Sequence, residues 1–252
     1  MTTDPHRYRA PAHLLAGRNV LVTGAGEGIG RAAALCFAAH GATVILLGRK
    51  QQNLDAVYDA IVASHAPEPI IQVLDLGSAT EEHYSVLAGQ IEDELGCLHG
   101  LLHNAALLGP RKPLDQYPLK DWRELMTVNV EAGFMLTKAL LPALREAPAA
   151  SVVFTSSGVG RRGKAFWGAY AVSKFATEGL CQVLADELGS TSQVRVNCIN
   201  PGATNTAMRR AAYPAEVPTR NPDPQGIMAA YLYLMGDDSL GVNGRSLDAQ
   251  GG

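Results

Sequence analysis

An α/β architecture, a doubly wound parallel sheet of about seven strands with helices on both faces, is the fold class this sequence predicts. Three observations lead to it. Short, almost uninterrupted apolar runs recur along the chain, each followed by a longer segment whose apolar residues repeat at helical spacing. A cluster of glycines sits directly between the first such strand and the first such helix. No internal repeat, low-complexity stretch or Pro/Gly/Ser linker divides the 252 residues, so a single domain is expected over 18–252, preceded by an N-terminal extension over 1–17.

The elements follow in order. NVLVTG from Asn19 is the first strand, and AGEGIG leads into a helix, RAAALCFAAH, that Gly41 closes. ATVILLG is the second strand, Gln51 to Ser64 a helix, and IIQVLDL the third strand. A helix from about Thr80 to Glu94 precedes HGLLHNAA, the fourth strand. A long helix spans about Leu119 to Ala147, with Pro142 as a candidate break, because a proline inside a helix removes an N–H donor and crowds the preceding turn. SVVFTSS is the fifth strand, Trp167 to Leu188 a helix, QVRVNCINPG the sixth strand, Pro224 to Gly236 a helix, and GRSLDAQ the last strand. Residues 203–224 have weak periodicity and are rich in Pro, Ala and Arg; the part from Asn205 to Asn221 is expected to be a lid.

Composition narrows the function. The chain is 47% hydrophobic and 18% charged, an ordinary globular balance that needs no metal or disulfide to hold a core. With 21 Lys+Arg against 24 Asp+Glu and no basic stripe, nucleic acid is not an expected partner. Cys36, Cys97, Cys181 and Cys198 form no CxxC pair and read as free thiols of a reducing compartment. The first 17 residues carry two prolines and no apolar leader, and no run is long enough to cross a membrane, so a soluble, cytoplasmic protein is expected.

The glycine turn, Thr23-Gly24-Ala25-Gly26-Glu27-Gly28-Ile29-Gly30, suits a dinucleotide. Glycines let the backbone turn tightly and approach a pyrophosphate, whose charge the helix N-terminus favours; strand, turn and helix together make a Rossmann unit. The second strand ends LLGRK. An acid there would hold the 2'-hydroxyl of NAD, but Gly48 leaves room, and Arg49 with Lys50 offers charge to the 2'-phosphate of NADP. NADP is therefore expected over NAD, with Glu27 as the opposing feature.

Tyr170 and Lys174 stand four apart at a helix start and so share one face. Ser157 lies thirteen residues upstream, at the strand edge where parallel-sheet enzymes present their reacting groups. Thr23-Gly24-x3-Gly28-x-Gly30, Asp75, Asn104-Ala105-Ala106, Asn129, Ser157, Tyr170-x3-Lys174 and Pro201-Gly202 fall in the order in which they resemble a short-chain dehydrogenase/reductase, over about residues 17–251. LLGR, FTSSGVGR, WGAYAVSKFATEG and VNCINPG look similar to the bacterial YciK-type oxidoreductases within it.

That resemblance implies roles. Tyr170 is the general acid/base, Lys174 lowers its pKa and binds the nicotinamide ribose, Ser157 orients the substrate carbonyl, and Asn129 holds a water in a proton relay. Thr23, Gly24, Gly28, Ile29, Gly30, Arg49, Asp75, Leu76, Asn104, Ala105, Pro201, Gly202, Thr204 and Thr206, with Tyr170 and Lys174, are expected around the cofactor. The family's usual Asn-Ala-Gly is Asn-Ala-Ala here, so the backbone at Ala106 must accept a Cβ. A homo-oligomer, dimer or tetramer, is also implied.

Other residues read more plainly. His99 and His103 are expected to be structural, with no third ligand for a metal. Arg161, Arg162 and Lys164 stand between Ser157 and Tyr170, where they would either attract an anionic substrate or be solvated cations. Leu107, Leu108, Phe166, Trp167 and Met208 are candidate pocket walls, the two aromatics being equally placed for a subunit interface. The expected function is an NADP-preferring oxidoreductase that interconverts a carbonyl and a secondary alcohol by hydride transfer. Its rivals are a non-enzymatic NAD(P)-binding sensor or scaffold, for which a general acid is unnecessary, and a methyltransferase, for which Gly48 is the wrong residue.

Overall fold

A computed structural model describes residues 4–251. The seven strands are β1 (Asn19–Thr23), β2 (Thr43–Gly48), β3 (Ile70–Val73), β4 (Gly100–His103), β5 (Ala150–Thr155), β6 (Val194–Asn200) and β7 (Ser246–Asp248). They form one parallel sheet in the order β3-β2-β1-β4-β5-β6-β7. The order reverses between β1 and β4, the place where an open α/β sheet leaves a crevice at its carboxyl edge.

Side chains alternate across each strand, and both faces are apolar. Val20 and Val22 of β1 enter the layer built by α1 (Gly28–Ala39), α2 (Gln51–Ala63) and α8 (Met228–Met235). Leu21 between them enters the opposite layer, built by α3 (Glu81–Leu95), α5 (Ala132–Glu146) and α6 (Gly168–Gly189). That is why the strands read as continuous apolar runs rather than alternating ones.

The long helix differs from expectation in an instructive way. It does not break at Pro142, which lies inside α5 with Leu140, Ala143 and Leu144 buried around it. Burial of that face holds the helix across one missing N–H. The irregularity comes earlier: α4 (Leu119–Met126) passes through a π turn, Thr127–Glu131, before α5 begins, and Asn129 is at the centre of that turn. The third strand also stops at Val73, before Asp75.

The N-terminal extension is docked on the domain. Leu15 is fully buried, and Tyr8 packs edge-on against Tyr233 with centroids 5.4 Å apart while its hydroxyl donates to Asp238. Residues 205–221 hold a short helix, α7 (Ala207–Ala212), and a 3-10 turn at Pro218–Arg220. No helix among the described residues is long and apolar enough to cross a membrane.

Candidate functional site

The carboxyl ends of β1, β2, β4, β5 and β6 open into one cleft, lined on the cofactor side by Gly24, Gly28, Ile29, Arg49, Asp75, Leu76, Asn104 and Ala105. Ser157, Tyr170, Lys174, Pro201, Gly202, Thr204 and Thr206 line it further along. The glycines are required by space. A Cβ on Gly30 would lie 2.1 Å from the Gly24 carbonyl oxygen, and one on Gly24 would lie 3.0 Å from Ala105 Cα. Gly24 and Gly28 also have φ of +66° and +55°, a region that side chains resist. α1 starts with no side-chain cap, so its first N–H groups are left for a ligand. A backbone cradle, uncapped donors and an exposed Arg49 on its rim fit a dinucleotide phosphate.

Not every expected residue faces the cleft. Thr23 lies behind it: its hydroxyl accepts from the N–H groups of Asn104 (2.9 Å) and Ala105 (3.0 Å) and donates to the Leu102 carbonyl, tying the turn after β4 to β1. Gly30 also lies behind the lining, where it lets the helix approach the turn. Asp75 Oδ1 accepts from the Gly77 N–H. Ala106 is outside the left-handed region, since His65 and Phe166 are the non-glycine residues of positive φ among those described, and the Cβ is accommodated.

The reacting groups converge at the end of β5. Lys174 is buried and donates from Nζ to the Thr155 carbonyl at 2.6 Å; the same ammonium stands 5.6 Å from the centroid of the Tyr170 ring. Burial pulls the Lys174 pKa down to about 8, while Cys198 and Glu178 resist that fall. Burial pushes the Tyr170 phenol up to about 12, opposed by its hydrogen bond to Ser157. Ser157 adopts an extended backbone and caps the 3-10 turn that follows.

Asn129 sits in the π turn with its side chain engaged by the protein. Its amide pairs both ways with the Leu107 backbone, receiving from the N–H at 2.7 Å and donating to the carbonyl at 2.9 Å, and also donates to Ser173 Oγ. The side chain thus fixes the loop after β4 to the π turn.

Several residues escaped the sequence reading. Gln250 Nε2 donates to the carbonyls of Pro201 (2.7 Å) and Ala203 (3.0 Å), bracing the loop after β6. Nothing in a lone glutamine after a short strand signals that. Arg111 stacks over Trp167 and Tyr213, again without a local pattern. Arg161, which the sequence leaves either facing a substrate or solvated, reaches Asp248 (2.8 Å), Ser246 and Glu178 and holds its loop to β7. Trp167 is a wall of the cleft and buried within the chain, whereas Phe166 is exposed. His103 stacks on Phe154 and bonds Thr137, its pKa pulled down to about 3 by burial. His99 accepts from the Asn19 N–H. All four cysteines are free.

Comparison with known proteins agrees with this layout. The short chain dehydrogenase family profile matches residues 18–217. The oxidoreductase YciK of Escherichia coli (strain K12) is 51% identical over 245 residues, 97% of this chain and 96% of its own. A short chain dehydrogenase from Shigella flexneri 2a, solved in complex with NADP, is 51% identical and superposes with a TM-score of 0.93 over 96% of this chain and 100% of its own. Its counterpart from Escherichia coli CFT073, solved in complex with NADPH, is 51% identical with a TM-score of 0.94 over 96% and 100% of the two chains. With sequence match, sheet order and cleft in agreement, the chain belongs to the short chain dehydrogenase family and is an oxidoreductase enzyme.

Proposed function

We propose that this enzyme prefers NADP and interconverts a carbonyl and a secondary alcohol, with Tyr170 as the general acid/base. The observation that carries the reading is the grouping of Ser157, Tyr170 and the buried Lys174 at the end of β5, beside the glycine cradle. The nicotinamide cofactor, held along Gly24, Gly28, Arg49, Asn104 and Thr206, would supply or accept the hydride. Ser157 Oγ donates to the substrate carbonyl and sets its orientation. Tyr170 then delivers its proton to the developing alkoxide; a phenol whose pKa is pushed up to about 12 keeps that proton ready at neutral pH. In the oxidising direction the Lys174 ammonium, together with the positive charge of an oxidised nicotinamide, draws the phenol back toward working pH. Asn129 keeps the Leu107 backbone in place beside the reacting centre.

NADP preference is supported by Gly48, where no acid opposes a 2'-phosphate, by Arg49 and Lys50 on the cleft, and by the NADP and NADPH complexes of the relatives. Residues 205–221 serve as a lid over the substrate end, where Met208, Arg209 and Ala212 line the cleft. A homo-oligomer in the cytoplasm belongs to the same reading: Phe134, Val172, Phe175 and Val183 form an exposed apolar face on α5 and α6, and sedimentation tests it.

A panel of ketones, quinones and alcohols, followed by NADPH absorbance, identifies a working substrate. On it, Tyr170→Phe is expected to lower kcat roughly 100- to 10,000-fold while NADPH affinity stays within a few fold. A variant that keeps most of the wild-type kcat overturns the assignment.

A further inference from the structure

Tyr213, which follows α7, is surrounded by cations from three parts of the chain. Arg209 lies 3.9 Å from its ring centroid, Arg111 5.1 Å and Lys164 5.5 Å, and Lys164 Nζ also donates to its hydroxyl at 3.2 Å. These cations are not equivalent. Arg209 is held by Glu216 through two contacts of 2.6 Å within its own segment. Arg111 has no carboxylate partner among the described residues. Its guanidinium carbon stands 4.6 Å from the Trp167 ring centroid, its Nη1 donates to the Ala212 carbonyl, and its Nε is buried without a partner.

A planar guanidinium set against two adjoining rings, with a third bond to the backbone, is the arrangement arginine supplies and lysine does not. Trp167 and Ala212 both line the cleft and belong to one buried cluster. Arg111 joins them from outside. It comes from the loop after β4, so one side chain connects that loop, the entry to α6 and the segment after β6. Without it, residues 207–213 would be held to the rest of the roof by the exposed Lys164 bond, by the Trp167–Tyr213 ring contact with centroids 5.8 Å apart, and by buried Ala212 with the partly buried Met208 and Tyr213.

We propose that Arg111 is a positioning residue that latches residues 207–213 over the cleft and so fixes the wall, Trp167 with Ala212, against which the carbonyl compound is oriented. This rests on the oxidoreductase reading for its consequence in turnover, but the latch itself is testable without turnover. In the full-length protein carrying Trp122→Phe, Trp167 is the remaining tryptophan. Adding Arg111→Ala is expected to raise acrylamide quenching of Trp167 at least threefold and amide exchange over 209–216 at least tenfold, with β5 and β6 unchanged. Arg111→Lys keeps the charge but not the plane and is expected to recover less than half of either effect. For the best substrate of the panel, the KM of the carbonyl compound should rise at least fivefold with kcat within twofold. Unchanged quenching and exchange overturn the latch, as does an increase shared equally by β5, which would mean general destabilisation. A wild-type protein that neither binds NADPH nor turns over any panel member sinks the oxidoreductase reading instead, while the quenching and exchange results still decide the latch.

Discussion

Residues 19–54 and residues 203–224 border the same cleft on opposite terms. The first region is shaped by backbone: strand, turn and helix meet through glycines, and a Cβ at Gly26 would come within 2.8 Å of Asn53. The second is shaped by side chains, through Arg209 with Glu216, Asn205 with Asp223, and Tyr213 with Lys164 and Arg111. A phosphate is the same in every cofactor, so a rigid cradle of N–H groups serves it. Substrates differ between relatives, and a roof held by exchangeable pairs changes without disturbing the sheet.

If that contrast is right, the largest effect comes from adding carbon to the cradle. Gly30→Val would place a Cβ 2.1 Å from the Gly24 carbonyl oxygen and 2.6 Å from Asn104 Nδ2, and neither the turn nor the helix has room to yield. Overpacking of this kind costs roughly 3 kcal/mol or more. We expect NADPH binding to be lost and urea unfolding to shift to lower concentration. Normal binding by titration would show that the cradle is softer than its geometry implies.

The same contrast explains what could be read from sequence. The strands were legible because both faces of a parallel sheet are apolar, and the cradle because glycine is the residue its backbone requires. Tyr170, Lys174 and Ser157 were legible because a helix face and a strand end bring them together. The π turn at Asn129 was not, since it follows from packing against Leu107 and Ser173, and Pro142 drew attention to the wrong turn. Arg111 was invisible for a similar reason: it meets the Ala212 carbonyl 101 positions away, and no local spacing records such a partnership.

The next effect separates cofactor from cradle. Arg49 is exposed and lines the cleft beside Gly48, so its role is to meet a ligand rather than to hold the fold. Arg49→Ala is expected to weaken NADPH by roughly 1.5 to 3 kcal/mol, the scale of a hydrogen bond to a charged group, and to leave NADH nearly unchanged. Equal losses for both cofactors in calorimetric titration would move Arg49 from the 2'-phosphate to the scaffold.

The smallest effect concerns Lys174, which lies on α6 outside both regions, at the reacting end of the cleft, where function needs its charge and the fold does not. Burial lowers its pKa to about 8 from 10.5, so the native protein prefers the neutral amine more than the unfolded chain does. Between about pH 8 and 10.5 the unfolded chain binds more protons at this site, and stability attributable to it rises with pH; below 8 both states are protonated and the penalty of burying the ammonium is fully present. Lys174→Met removes that penalty but leaves the Thr155 carbonyl without its donor. The net expectation is a variant more stable than wild type by roughly 1 to 2 kcal/mol at pH 7, with the advantage shrinking as pH climbs toward 10. Tyrosines raised by burial, Tyr231 and Tyr84 among them, lose stability only above pH 10 and are common to both proteins, so the difference isolates the lysine. Urea unfolding of the two proteins at pH 7, 8 and 9.5 reads it directly. A Met variant less stable than wild type at pH 7 would mean that the bond to Thr155 outweighs the buried charge, and that the reacting end of the cleft is as much scaffold as the cradle opposite it.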